Sequence, residues 1–132
     1  MIPPAPLPIL VADQDDRSRN RLTHVLSEEG FCTLPARTGG EAVELVRSRV
    51  VAITILDVLL PDLSGLETLE LITSVRGSVP GIFLARERNK EMLVRLLAAG
   101  AYTVLQKPPR DDVLLETVRK IASRIDRGDK TF

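Results

Sequence analysis

The sequence predicts an α/β domain built on a doubly wound, five-stranded parallel sheet. Three observations predict it. Val50-Val51-Ala52-Ile53-Thr54-Ile55-Leu56 is a near-continuous apolar run that stops at a carboxylate, Asp57, and runs without polar alternation belong to strands buried on both faces. Each of five short apolar runs, this one included, is followed by a segment with apolar residues at helical spacing, so strand and helix alternate along the chain. The connections are short, and such units demand right-handed crossovers that cover both faces of a parallel sheet.

The elements follow in order. Ile9-Leu10-Val11-Ala12 is the first strand and runs into Asp13-Gln14-Asp15-Asp16, so acids stand at its exit. Over residues 17–29, Leu22, Val25 and Leu26 recur at helical spacing, and Gly30 closes that helix. Residues 31–34 form the second strand, in which Cys32 reads as a small buried apolar group. Thr38-Gly39-Gly40-Glu41 has the form of a capping box and opens a helix through Ala42, Leu45 and Val46. The central strand then ends at Asp57, and Pro61, Asp62, Ser64 and Gly65 turn the chain, with Asp62 as a turn or helix cap. A third helix over 65–75 turns Leu66, Leu69 and Ile72 inward. Residues 82–85 form the fourth strand, Asn89 caps a fourth helix reaching Ala99, and Gly100 ends it. The fifth strand spans 102–106 and is stopped by Lys107-Pro108-Pro109. A last helix from about Asp111 to Arg127 buries Val113, Leu114, Val118, Ile121 and Ile125. The usual outcome of this pattern is the flavodoxin-like (βα)5 strand order 2-1-3-4-5, which brings Asp13 beside Asp57 at the sheet edge where ligands bind.

Composition narrows the function. Hydrophobic content of 44% and charged content of 27% are those of an ordinary soluble domain. A net charge of +0 without blocks of like charge gives no footprint for nucleic acid, so no nucleic-acid contact is expected. No run approaches the roughly 18 apolar residues of a spanning helix, which excludes a helical membrane span. One cysteine permits no internal disulfide, and no Cys/His cluster offers a zinc site, which suits the cytoplasm. The Pro-rich start lacks the basic and apolar regions of a signal peptide. Residues 1–6 therefore read as a leader or linker end, 7–127 as the domain and 128–132 as a tail.

Asp13, Asp57 and Lys107 stand at the exits of strands one, three and five, and Pro108 follows the lysine. Asp57-x-x-Leu60-Pro61-x-Leu63-x-Gly65 surrounds the central acid, and Ala98-Ala99-Gly100-Ala101 leads through the fifth strand to Lys107-Pro108. In that order and on those strands, these residues resemble the response-regulator receiver domain, the CheY-like family of bacterial two-component phosphorelay signalling. The resemblance runs from Leu7 to about Arg127. It implies a signalling switch rather than an enzyme, whose only chemistry is its own phosphorylation and dephosphorylation. It implies that Asp57 accepts a phosphoryl group from a histidine kinase or phosphotransfer protein. Mg²⁺ would sit on Asp13, Asp57 and the Leu59 carbonyl, Lys107 would meet a phosphoryl oxygen, and the Lys107–Pro108 peptide would be cis, aiming the ammonium at the pocket. A downstream protein partner or a fused output domain would read the signal. The chemistry suits these roles. A carboxylate is a competent nucleophile for phosphoryl transfer, positioning and charge neutralisation do most of the catalysis, and Mg²⁺ needs only one or two carboxylates.

Three positions depart from the family pattern. Gln14 fills the slot of a second acid, so Mg²⁺ is expected to bind weakly, with Asp15 as a candidate substitute ligand. Ala85 replaces the Thr or Ser whose hydroxyl meets the phosphoryl group, and Val104 replaces the aromatic switch residue. Tyr102 lies two positions earlier on what should be the same strand face. Ala85 and Val104 are both halves of the family's coupling device, so the surface of the fourth helix, fifth strand and fifth helix should change little on phosphorylation. In the fourth helix, Met92, Leu96 and Ala99 should face the sheet, while Leu93, Leu97 and Val94 widen the stripe. That extra width is either core or a docking face, including Val104, for a partner or a second copy in a homodimer. Two alternatives to a phospho-accepting receiver stand beside it. One is a pseudo-receiver that binds partners without phosphoryl chemistry; the other is a small enzyme or flavin binder on this fold, against which no Gly-rich loop follows the first strand.

Overall fold

The computed structural model describes residues 6–128. The expected leader, apart from Pro6, and the expected tail, apart from Gly128, lie outside the described residues. Strands and helices alternate as β1 (Pro8–Ala12), α1 (Asp16–Glu28), β2 (Cys32–Ala36), α2 (Gly39–Ser48), β3 (Ile53–Asp57), α3 (Gly65–Arg76), β4 (Gly81–Ala85), α4 (Lys90–Ala98), β5 (Ala101–Gln106) and α5 (Asp111–Asp126). The strands form one parallel sheet in the order β2-β1-β3-β4-β5, as the alternation predicts. β3 and β4 are buried at every position.

Two apolar layers hold this sheet. Leu10, Leu56 and Phe83 pack with Ala42, Val46, Leu69, Ile72 and Leu96 of α2, α3 and α4 on one face. Ile9, Val11, Ile55, Ile82 and Leu84 pack with Leu22, Leu26, Leu114, Val118 and Ile121 of α1 and α5 on the other. At roughly 1.5–3 kcal/mol per fully buried large side chain, these layers make the strand ends a rigid frame.

Several local expectations need correction. Cys32 is exposed, because it begins an edge strand whose pattern alternates between exposed and buried. Val113 is also exposed in the first turn of α5. Ala99 is the exposed C-cap of α4, and Leu93 joins Met92 against the core in its place. The Thr38 hydroxyl accepts the Glu41 amide, but the Glu41 carboxylate takes the Arg37 amide rather than that of Thr38. The complete capping box is at Ser64 and Glu67, opening α3. Tyr102 and Val104 lie on opposite faces. A β-bulge between β4 and β5 pairs Gly81 with Ala101 but Ile82 with Thr103. Tyr102 is the extra residue, so it packs with α5 while Val104 packs on the α4 side.

Asp62 shows how the loop after β3 is fixed. Its carboxylate accepts the Gly39 amide at 2.8 Å and the Gly40 amide at 2.9 Å, capping α2 from across the structure. The Gly40 amide leads, with those of Gly39 and Leu63, in holding this carboxyl below its ordinary pKa. A pKa depressed in the folded state adds stability above the ordinary value, and that stability is lost as the pH falls through the folded value. Asp62→Ala should therefore lower stability by about 1 kcal/mol at pH 7. Urea unfolding should show the difference shrinking as the pH falls below the ordinary value of 3.8, and an equal loss at pH 7 and in that acid range would contradict the capping role.

Candidate functional site

The register builds the site. Ala12 pairs with Leu56, so the next residues, Asp13 and Asp57, emerge side by side at the carboxyl edge of the sheet. Lys107 leaves β5 with its amide bonded to the Ala85 carbonyl at 2.8 Å. Its ammonium lies 2.6 Å from Oδ2 of Asp57 and 3.0 Å from Oδ1 of Asp13. All three groups are buried: Asp13 is 0% exposed, Asp57 6% and Lys107 6%. One cation between two carboxylates leaves a buried net negative charge. Burial works against the Lys107 charge, but the hydrogen bonds and negative charges of Asp57 and Asp13 outweigh it and raise its pKa. The Lys107–Pro108 peptide is cis.

Each acid has further partners. Oδ1 of Asp57 accepts the Leu59 amide at 3.0 Å. Asp13 accepts the Asp15 amide at 2.9 Å and the Ser18 hydroxyl at 2.5 Å. Ser18 escaped the sequence reading, because a serine in the first turn of a helix carries no signal that it reaches back to a strand end. Gly65 lets the loop close behind Asp57. A Cβ there would lie 2.4 Å from the Asp57 carbonyl oxygen and 3.0 Å from Phe83.

The remaining predicted residues line the rim. The Gln14 side-chain amide, oriented by this bond, donates to the Leu59 carbonyl at 3.2 Å. Asp15 is the N-cap of α1 and accepts the Arg17 and Ser18 amides. The Ser18 amide, then that of Arg17, then the charges of Lys107 and Arg86 hold its carboxyl below the ordinary value. Gln14, Asp15, Asp57, Val58, Leu59, Arg86 and Lys107 together line a cavity of about 200 Å³. Larger hollows lie along α5 and α2, away from the acids and the lysine. Ala85 is fully buried at the end of β4. Val104 is only 6% exposed and Leu93 leans on the core, so of the expected docking face only Leu97, at 51%, is open, beside Val94 at 59%.

The family described as the response regulator receiver domain matches residues 9–119. The chain belongs to that family. Receiver domains are signalling switches of two-component systems, and phosphorylation by a histidine kinase is general among them. The response regulator MprA of Mycolicibacterium vanbaalenii is 33% identical over 124 residues, covering 94% of this chain but 54% of that protein. The transcriptional regulatory protein ZraR of Escherichia coli O157:H7 is 31% identical, covering 85% of this chain and 25% of that protein. The chain thus spans about half the length of MprA, or less of its other relatives. Among solved structures, the receiver domain protein from Methanospirillum hungatei matches with a TM-score of 0.85 and 27% identity, covering 92% of this chain and 98% of that one. The BeF3-activated DrrB receiver domain matches at 0.81 and 26%, covering 90% of this chain and 99% of that one. Among the described residues no helix is long and apolar enough to cross a membrane.

The triad makes a stability prediction. Lys107→Met leaves two buried carboxylates without their cation, and breaking such a cluster costs roughly 3–5 kcal/mol. Urea unfolding at pH 7 should show that loss, and an unchanged midpoint would mean the ammonium is not needed to keep the acids in place. Because its folded pKa is raised, the lysine's contribution is fully present below the ordinary value of 10.5. It is lost only as the pH rises through the higher folded value, so the wild type should show no such loss across neutral pH.

Proposed function

We propose that Asp57 accepts a phosphoryl group from a phosphohistidine of a kinase or phosphotransfer protein, and that this chain is the phospho-accepting receiver of a two-component phosphorelay. The observation that carries the reading is the ammonium of Lys107, 2.6 Å from Asp57 and 3.0 Å from Asp13 in a buried setting. In the reaction an Asp57 carboxylate oxygen forms a bond to phosphorus as the phosphorus–nitrogen bond of the donor breaks. The product is an acyl phosphate on Asp57 and a free histidine on the donor. Lys107 holds a phosphoryl oxygen as a point charge, while the Leu59 amide orients the carboxylate. The longer relatives, named as response regulators and a transcriptional regulator, support a protein partner or fused output domain as the reader.

The donor set fits Mg²⁺. Asp13, Asp57 and the Leu59 carbonyl are hard oxygen ligands, and Mg²⁺ keeps several waters beside one or two carboxylates. When bound, it would neutralise charge on the phosphoryl oxygens. One feature works against the fit: the Gln14 amide donates to the Leu59 carbonyl, an oxygen the ion would use. That bond favours the second reading, a pseudo-receiver whose loop is held without metal.

Beryllofluoride with millimolar Mg²⁺ separates the two readings. Fluorine NMR should show an adduct on the wild type and none on Asp57→Asn. No adduct on the wild type would leave the pseudo-receiver. Gln14→Asp should tighten Mg²⁺, because it restores a carboxylate charge beside the ion and removes the donor from the Leu59 carbonyl. We expect roughly tenfold, or about 1.4 kcal/mol, by titration. Unchanged affinity would show that Gln14 does not limit the site.

A further inference from the structure

Resting on the phosphoryl-acceptor reading above, we propose that Arg86 is a second phosphoryl-binding cation, supplying from the start of the β4–α4 loop the donor that Ala85 lacks. Arg86 lines the cavity that contains Asp57 and Lys107. It follows the end of β4 directly, where Ala85 is fully buried and carries no donor.

The backbone beneath Arg86 is firmly held. The Ala85 carbonyl accepts the Lys107 amide at 2.8 Å, and the Arg86 carbonyl accepts the Gln106 side-chain amide. The base of the side chain is therefore fixed beside the lysine. Its guanidinium is not committed. The side chain is 67% exposed, and its ion pair with Asp15 is long, at 4.0 Å, with Asp15 itself 45% exposed. Exposed pairs of that kind contribute little, so leaving Asp15 for a stronger anion is easy. Asp15 also keeps its Arg17 and Ser18 amides when the arginine leaves.

Charge decides in favour of this movement. Lys107 is shared between Asp13 and Asp57 before any phosphate arrives. Modification of Asp57 removes one carboxylate charge and brings a phosphoryl group of roughly −2. Asp13, the phosphoryl group and Lys107 then sum to about −2, and to the extent that Mg²⁺ binds weakly beside Gln14 a second side-chain cation is left to offset that charge. A planar guanidinium offers two parallel N–H donors to phosphoryl oxygens and keeps its charge at any working pH. A threonine hydroxyl would offer one neutral donor.

The test uses the full chain and beryllofluoride with Mg²⁺. Wild type, Arg86→Ala and Arg86→Lys are titrated and the adduct followed by fluorine NMR, with thermal unfolding to confirm that each variant folds. We expect Arg86→Ala to weaken the adduct about tenfold, or about 1.4 kcal/mol, and Arg86→Lys to recover part of the loss. The loss in Arg86→Ala should also shrink in high salt. Equal affinity of wild type and Arg86→Ala would overturn the role of Arg86 and leave Asp57 as acceptor. No adduct on the wild type would overturn the acceptor reading and this inference with it.

Discussion

The Lys107 ammonium between Asp13 and Asp57 is the interaction on which the rest of the site depends. Two carboxylates that are almost wholly buried cannot lie side by side without a cation, since their repulsion grows as water is excluded. The lysine is brought there from the other half of the sheet, through pairing that runs β1, β3, β4, β5 in space. A slip anywhere in that register would move the charge by a residue and flip the side chain. The two apolar layers are therefore what keep three charges within hydrogen-bonding distance. The site keeps one negative charge in excess of balance, and that excess favours a further cation.

The loops complete the arrangement by close approach. Gly65 lets α3 start against the Asp57 carbonyl, where a Cβ would collide at 2.4 Å. Gly39 does the same between α2 and α3, where a Cβ would lie 2.5 Å from the Thr68 hydroxyl. Asp62 then fastens the loop after β3 to the N-terminus of α2. On the opposite side, Gln14 fastens the loop to the end of β1 through the Leu59 carbonyl. That bond does with a neutral amide part of what a bridging ion does with charge: it joins β1 and the loop after β3. It holds the loop at little electrostatic cost.

Most of this was legible in the sequence where the signal was local or periodic. The uninterrupted β3 run, Gly30 after α1, Asn89 before α4 and the strand exits at Asp13, Asp57 and Lys107 all appear as read. What sequence could not show depends on tertiary geometry. Cys32 looks like a core residue until β2 proves to be an edge strand. Tyr102 and Val104 share a face under strict alternation, and one bulge separates them. Ser18 and Asp62 look like ordinary helix-start and loop residues, and Gln14 reads only as a missing acid, yet each side chain ties two separate elements together. Ser64 and Glu67 are different. Their spacing carried the capping signal, and it went unread beside the stronger pattern around Asp57.

The surface beyond the site follows from the same constraints. A ligand shifts a conformational equilibrium only through a difference in its interactions with the two states. Ala85 has no hydroxyl to be drawn toward an anion on Asp57, and Val104, branched at Cβ and buried on the α4 side, has no second position to occupy. Arg88 further fixes β5 by donating to the Val104 carbonyl at 3.2 Å. On the phosphoryl-acceptor reading, side-chain exchange through the sheet would offer no route from Asp57 to α4. The backbone remains. The Lys107 amide and the Gln106 side chain grip the Ala85 and Arg86 carbonyls, so a cation movement at Lys107 or Arg86 would pull on the first residues of the β4–α4 loop. On the phosphoryl-acceptor reading, a signal leaving this pocket would travel by charge and main chain, over a short distance, and not by the rotation of an aromatic ring.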